Sequence, residues 1–276
     1  MKLLPILKIS LRALARNKAR SLLTALGIII GVSSVIAMVS LGQGAQKQVE
    51  AQISSMGTNM LIVSSGSQRT GGLRSGSGTG TTLSVEDIQA IAREAPAVSA
   101  VSPGVNAPVT LVFGNQNWST RAEGVADSYP AIRNWTIASG QFFTPADIRS
   151  AARVVVIGKT VADQLFLGAD PVGQTIRVRN LPFRVVGVLA PKGQSSFGQD
   201  QDDTLFIPYT TVMKKLLSIT YVPNAYISAI SSDATFAAQD QIEQLLRQRH
   251  QIRPGSEDDF TVRNLTDIAD TAAATT

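Results

Sequence analysis

No ionisable side chain occurs from Ser21 to Gln46, and the run Ser21–Gly42 is dense in Leu, Ile, Val and Ala. As a helix, that run rises about 33 Å, enough to cross a hydrocarbon core of roughly 30 Å. Val49, Ile53 and Met56 extend a helical stripe beyond it until Gly57, a helix stop, which predicts a stalk of about 15 Å past the bilayer. A secretory leader would have a shorter apolar stretch and a small-residue cleavage pattern, both absent here. A buried globular helix would not require 26 uncharged residues after a purely basic flank. A membrane span is the reading that fits.

Beyond residue 57 the pattern changes to short strands and helices. Asn59–Ser64 reads as a buried strand, and Ser84 caps a helix with Asp87 at its third position and Leu83 placed to staple Ile88. Val85, Ile88, Ile91 and Ala92 give that helix an apolar face, it stops before Pro96, and Val98–Val101 follows as a strand. A second strand-helix-strand unit closes the chain. It comprises Ala225–Ile230, a helix capped by Asp233 with Phe236, Ile242, Leu245 and Leu246 on its inner face, and Phe260–Val262. Two such units sharing one sheet predict a ferredoxin-like α+β layer.

The stretch between them, residues 114–223, is rich in strands: Arg153–Gly158, Thr175–Val178, Phe183–Leu189 and Thr204–Ile207, with a helix over Thr160–Phe166 and a turn at Asn180–Pro182. It is expected to be an insertion with its own small core. The Gly-, Ser- and Thr-rich segment Ser65–Thr82 lacks the Gly-Lys-Ser/Thr ending of a phosphate loop and reads as a flexible loop. The predicted division is a basic helix over 1–20, the membrane helix over 21–46, and the first half of the α+β layer with its stalk over 47–113. The insertion over 114–223, the second half of the layer over 224–270 and a short end over 271–276 follow.

Charge sharpens the membrane reading. Lys2, Lys8, Arg12, Arg16, Lys18 and Arg20 precede the apolar run and no acidic residue precedes Glu50. The positive-inside rule puts that flank in the cytoplasm and residue 47 onward outside. Lys8, Arg12 and Arg16 recur every four residues opposite Leu3, Leu4, Ile6, Leu7 and Leu11, the pattern of a helix lying on the inner leaflet. A disordered basic tail is the competing reading. The net charge of +5 arises in this flank, and the remaining nineteen basic and twenty acidic residues nearly balance, which argues against nucleic-acid binding. Within the span, Gly27 and Gly31 with Ser34 form a small-residue face suited to close helix packing or a dimer interface. The partner is another copy or another helix of the same protein.

Little in the sequence offers catalysis. Zero cysteines exclude disulfides and thiolate chemistry. The one histidine, His250, stands beside Arg249 with no paired carboxylate in sequence and reads as a surface residue. The serines lack a nucleophile elbow. Asp200-Gln201-Asp202-Asp203 lacks the spacing and closing Glu of a calcium loop and reads as a solvated turn. Asn117, Asn134 and Asn264 begin glycosylation-type triplets, a pattern that arises often by chance. No catalytic, cofactor-binding or metal-binding residue is expected, and the chain is not expected to be an enzyme.

The segment Arg20–Gly44 followed by Met56-Gly57-Thr58-Asn59 resembles the first membrane helix of MacB-type, macrolide-exporter-like ABC transporter permeases of the FtsX-like superfamily. Gly140-Gln-Phe-Phe143 with Asp147, Val156-Ile-Gly158, Leu165-Phe166, Pro171-Val-Gly-Gln174, Val185-Val-Gly-Val188, Lys192-Gly193, Asp202-Asp203 and Ile207-Pro208 resemble the periplasmic core of that family, in order. The resemblance implies a porter-like α+β domain split by a β-rich insertion, set in the periplasm of a bacterium and anchored in its inner membrane. It implies a homodimeric permease that couples ATP and Mg²⁺ use by an ABC ATPase to periplasmic movement and efflux, often with a periplasmic adaptor and an outer-membrane channel. No Walker motif occurs, so the ATPase is expected on a separate subunit. The sequence reaches Thr276 about where the family's second membrane helix begins, and three further helices are expected to be needed for transport. The alternative is a single-pass periplasmic binding or sensor module. Drug, peptide and lipid cargo all remain open.

Overall fold

The apolar run folds as one helix, α1 (Lys18–Met56). At about 1.5 Å per residue its 39 residues extend roughly 58 Å. The computed structural model describes residues 18–56, 59–66, 69–70, 73–74, 82–195 and 199–264. Lys8, Arg12, Arg16 and the proposed inner-leaflet helix lie outside these, as do the side chains of the stalk stripe. The chain divides into two compact units, Met1–Glu50 and Ala51–Thr276. In the first, Lys18–Gly44 is long and apolar enough to cross a membrane. Leu22, Ile28, Ile29, Val35, Ile36 and Leu41 are exposed around its circumference. A helix apolar on all sides satisfies its own backbone and leaves those side chains to hydrocarbon.

The second unit is built on a mixed sheet. Its first part comprises β1 (Met60–Ser65), the two-residue strands β2 (Arg69–Thr70) and β3 (Leu73–Arg74), α2 (Val85–Glu94) and β4 (Val98–Phe113). β2 and β3 pair as a small hairpin within the segment read from sequence as a loop. Next come β5 (Gln116–Val125), α3 (Tyr129–Ile132), β6 (Ile137–Gly140), α4 (Pro145–Arg149), β7 (Val154–Ile157) and α5 (Lys159–Phe166). β8 (Thr175–Val178), β9 (Leu181–Leu189), β10 (Thr204–Pro208) and α6 (Tyr209–Thr211) follow, and α6 runs into a π-helical turn, Val212–Leu217. The chain then forms β11 (Asn224–Ala229), α7 (Thr235–Arg249) and β12 (Phe260–Asn264).

The strands β12, β1, β11 and β4 lie side by side in that order, each antiparallel to its neighbour. The two strands joined by α2 are therefore parallel with β11 between them, and the two joined by α7 are parallel with β1 between them. That is the ferredoxin-like arrangement expected from the sequence. Strand β4 then carries the sheet onward. Its Val98–Gly104 part pairs with β11, whereas Val105–Phe113 pairs with β5. Pairing continues through β10, β7 and β9, and β8 bridges β9 back to β4, closing a six-stranded circuit with β6 added at β9.

Side-chain alternation assigns the two faces of this circuit to different clusters. Val155 and Ile157, Leu205 and Ile207 join Val105, Leu111, Ile176 and Val185 in a large core. Val154 and Val156 of the same strand, with Phe206, face a second cluster containing Tyr129, Trp135, Phe143 and Leu189. With both faces covered, β7 is buried at all four positions, and its unbroken Val-Val-Val-Ile run follows from that. The large core also contains Leu61, Val63, Ile88, Ile91, Ile227, Ile242 and Leu246. The buried members of the second cluster all lie within residues 114–223, whereas the large core runs through both parts because one strand does.

Three local expectations also change. The β8–β9 turn is Arg179–Asn180, both at positive φ, with Val178 opposite Leu181. That is a two-residue hairpin loop of the type whose twist suits the strands, so Leu181 and Pro182 already belong to β9. Helix α7 is not capped by Asp233: its N-cap is Ala234, and the Thr235 hydroxyl donates to the Ser232 carbonyl at 2.8 Å. Ala238, Ile242 and Leu246, four residues apart, form its buried stripe, which leaves Phe236 61% exposed. The Ser84 cap on α2 is present as a full capping box with Asp87, and Thr144 and Asp147 form a second one on α4.

Candidate functional site

Gly27, Gly31 and Ser34 share one face of α1 at spacings of four and three. A Cβ added at either glycine would meet nothing within 4 Å, so both are bare patches on the helix surface. The Ser34 hydroxyl donates to the Ile30 carbonyl at 2.7 Å and that of Thr24 to the Arg20 carbonyl at 2.9 Å. With their protons used inside the helix, these residues present small, nearly apolar surfaces, suited to a backbone approaching closely in lipid. Lys18 and Arg20 are exposed in the first turn.

Where the chain arrives from α1, Asn59 ties the start of β1 into the sheet. Its side-chain amide donates to the Ala229 carbonyl, and its own carbonyl accepts from the Ala229 N–H at 2.9 Å. A β-bulge between Ser228 and Ala229 frees that carbonyl for side-chain donors, and the Ser99 hydroxyl also reaches it at 3.1 Å. Leu61 lies opposite Asn264, so β12 ends beside the start of β1. Entry and exit thus share one end of the sheet.

The opposite end holds a charged cluster that sequence reading missed. One Asp87 carboxylate oxygen accepts from Arg249 Nε at 2.7 Å, while the other accepts the Ser84 N–H at 2.9 Å and faces His250 Nε2 at 3.3 Å. His250 Nδ1 lies 2.8 Å from an Asp259 oxygen. The His250 and Asp87 side chains are only 10% and 7% exposed. Burial alone would raise the Asp87 carboxyl, but the hydrogen bonds from Ser84, Arg249 and His250 outweigh it and hold the group below the usual carboxylate range. His250 is therefore a nearly buried residue between two carboxylates, not the surface residue expected. Asp87 stands 163 positions away, beyond the reach of any local pattern.

The acidic run is likewise structural. Asp202 is buried, and its two carboxylate oxygens accept the Lys192 N–H at 2.8 Å and the Gly193 N–H at 2.9 Å. Asp200 accepts from the Thr160 hydroxyl at 2.6 Å, and Asp203 accepts from the Trp118 indole at 2.8 Å. The run staples the 192–193 loop, α5 and β5 to β10, which corrects its reading as a solvated turn. Lys192 Nζ donates to the Arg133 carbonyl at 2.6 Å and sits 4.7 Å from the Trp135 ring centre. Burial, helped by Arg133 and opposed by Asp202, pushes its amine down to about 8. Asp202→Asn keeps the size but turns an amide NH₂ toward one of the two backbone donors. It is expected to cost about 1–2 kcal/mol, measured as a lower urea midpoint with unchanged slope.

Two clefts border these groups. An apolar one of about 230 Å³ lies between α2 and α4, lined by Ile88, Ala92, Val101, Pro103 and Ile148 among others. A polar one of about 570 Å³ opens beside β4, β5 and the acidic run, with Asn106, Arg121, Glu123 and Tyr226 on its walls. Its carboxylates are occupied: Glu123 accepts the Tyr129 hydroxyl at 2.9 Å, and Asp200 and Asp203 are held as above. Burial, reinforced by Glu123, pushes the Tyr129 phenol up. Among the described residues no three His, Cys, Asp or Glu side chains gather into a metal-binding group. The arrangement ties the start of β1 to its neighbouring strand and braces the sheet at both ends.

Residues 21–245 match the MacB-like periplasmic core domain model. The macrolide export ATP-binding/permease protein MacB of Azoarcus sp. (strain BH72) is 43% identical over 266 residues, 96% of this chain and 39% of the relative. The protein of the same name from Chlorobium luteolum is 37% identical over 260 residues, 94% of this chain and again 39% of the relative. The chain thus spans about two fifths of the length of these relatives. The periplasmic region of MacB from Actinobacillus actinomycetemcomitans shares the fold, with a TM-score of 0.67 at 24% identity over 81% of this chain and 97% of that one. The extracellular domain of the noncanonic ABC-type transporter YknZ from Gram-positive bacteria does so at 0.59 and 18% identity, over 75% of this chain and all of the other.

Proposed function

The chain belongs to the family of MacB-like periplasmic core domains, and on that premise we propose that it is the N-terminal portion of an ABC export permease. In this reading α1 crosses the inner membrane with its basic end in the cytoplasm and the α+β unit stands in the periplasm. ATP hydrolysis by an ABC ATPase moves the membrane helices, and the movement reaches the periplasmic domain and drives efflux. The permease acts as a homodimer, with Gly27, Gly31 and Ser34 as the face on which α1 packs. A periplasmic adaptor and an outer-membrane channel complete the path where cargo leaves the cell. The relatives named as macrolide exporters make a macrolide-like cargo the first to test.

The observation that carries this reading is the order of elements along the chain: an apolar helix long enough to cross a membrane is followed, with three residues intervening after Met56, by β1, an interior strand of the sheet.

The absence of cysteine allows a direct test of orientation. Asn115→Cys at the exposed tip of the β4–β5 hairpin is expected to react with a membrane-impermeant maleimide in intact spheroplasts, and Lys18→Cys only after permeabilisation. The reverse pattern would overturn the topology. Co-purification of the protein from membranes with an ABC ATPase is the matching test of coupling. Persistent recovery alone, with no change in drug susceptibility on deletion, would favour the sensor module instead.

A further inference from the structure

The six-stranded circuit has an outer side as well as a core. Over β7 and β10 that side is covered, with Val154, Val156 and Phe206 under the second cluster. It continues across β5, β4, β8 and β9, where pairing sets Arg121 opposite Pro108, Arg177 opposite Val112 and Arg184 opposite Thr175. Arg184 is level with Val154 and so shares its side. The Arg179 N–H donates to the Thr110 carbonyl at 3.2 Å, which brings Arg179 onto the same side two residues along from Arg177. These residues are exposed, whereas Val109, Leu111, Ile176 and Phe183 between them point into the large core.

Segments 108–112, 117–121, 175–179 and 182–184 contain four arginines and no acidic residue. The chain beyond the membrane run is nearly balanced in charge, so its charges are sorted by place. Among the described residues no ion pair or side-chain hydrogen bond engages Arg121, Arg177 or Arg184. Arg179 uses two of its five N–H groups, Nε to the Pro108 carbonyl at 3.0 Å and Nη1 to the Leu216 carbonyl at 3.1 Å. Arg177 and Arg184 are diagonal neighbours on adjacent strands, about 7 Å apart. Like charges so placed repel, a cost that an anionic partner offsets.

We propose that this face docks an acidic protein segment in extended conformation, with Arg177, Arg179 and Arg184 taking its carboxylates. Arg177 and Arg179 stand about 7 Å apart along one strand, the repeat of side chains on one face of an extended partner. A guanidinium meets a carboxylate through two parallel hydrogen bonds, and the strands fix these positions before binding. A lipid surface fits less well. Val112, 36% exposed, is the one large apolar side chain among these outward residues, so nothing is placed to enter a bilayer. The inference needs only the fold of the α+β unit and stands apart from the transport reading.

As the chain has no cysteine, a dye at Asn115→Cys on the hairpin tip beside this face reads binding there and not at the basic N-terminal flank. The probe is a synthetic peptide of about sixteen residues alternating Glu and Thr, added to the full chain in phosphatidylcholine nanodiscs. It is expected to bind, more weakly as salt rises, and about tenfold more weakly to the Arg177→Gln, Arg184→Gln double variant. Arg93→Gln with Arg253→Gln removes the same charge from exposed sites elsewhere and should change binding by less than about twofold. The four side chains are exposed, and equal urea midpoints for the two variants are expected. Equal loss of binding in both would reduce the effect to net charge and overturn the proposal. So would failure of the peptide to bind, or binding of inorganic polyphosphate or anionic vesicles where the peptide does not.

Discussion

Replacing Phe206 with alanine is expected to cost about 3–5 kcal/mol, a large part of the 5–15 kcal/mol that separates folded from unfolded domains. Phe206 is fully buried on β10, with β5 on one side and β7 on the other. Its ring meets Tyr129 and Trp135 edge-on, at centroid distances of 5.1 and 5.3 Å, and lies 6.2 Å from Phe142. Removal leaves a cavity among rigid rings that cannot close around it. Urea unfolding of the full chain in detergent, followed by the fluorescence of Trp118 and Trp135, measures the loss. Phe206→Leu refills most of the volume and is expected to recover more than half of the cost. Equal losses for the two variants would mean that the rings rearrange freely.

Gly140→Ala is the second large effect, on the order of 3 kcal/mol. Gly140 has φ of +74°, and a Cβ there would lie 2.3 Å from the Val186 carbonyl oxygen on the adjacent strand. Left-handed strain and a backbone collision act together, and neither neighbour is a side chain that can swing away. Gly173 supplies the control. Its φ of +85° carries the same strain, but a Cβ there meets nothing within 4 Å. Gly173→Ala should therefore cost only about 1 kcal/mol. A comparable loss at both positions would show that the collision at Gly140 relaxes without cost.

The sequence was legible where the physics is local. Twenty-six residues without charge define a span by themselves, and Ser84 with Asp87 defines a helix start through contacts three residues apart. Period-two strands and a 3.6-residue stripe were enough to place both split βαβ units. What stayed hidden was long-range. Asp202 and Asp200 look alike in sequence, yet the first is buried on two backbone N–H groups because the 192–193 loop folds over it. His250 looked unpartnered because Asp87 is brought to it by the packing of α2 beside α7. Phe236 was assigned inward on hydrophobicity alone, and the phase of Ala238, Ile242 and Leu246 overruled it. The Gly27–Gly31 face was visible in sequence, whereas the Asn59 tie required the bulge at Ala229, which no residue pattern announces.

The length of β4 has a consequence for how this domain can be taken apart. Nine of its 16 residues, Val105–Phe113, give β5 its partner, and the preceding seven belong to the other sheet neighbour. Excising residues 114–223 as an independent module would strip β5 and β8 of that partner and leave raw strand edges, the surface from which aggregation starts. Deleting the same residues would expose the reciprocal edge. The insertion is thus grafted rather than hinged on, and domain exchange among relatives would have to cut at Gly104, inside a strand, to preserve both halves.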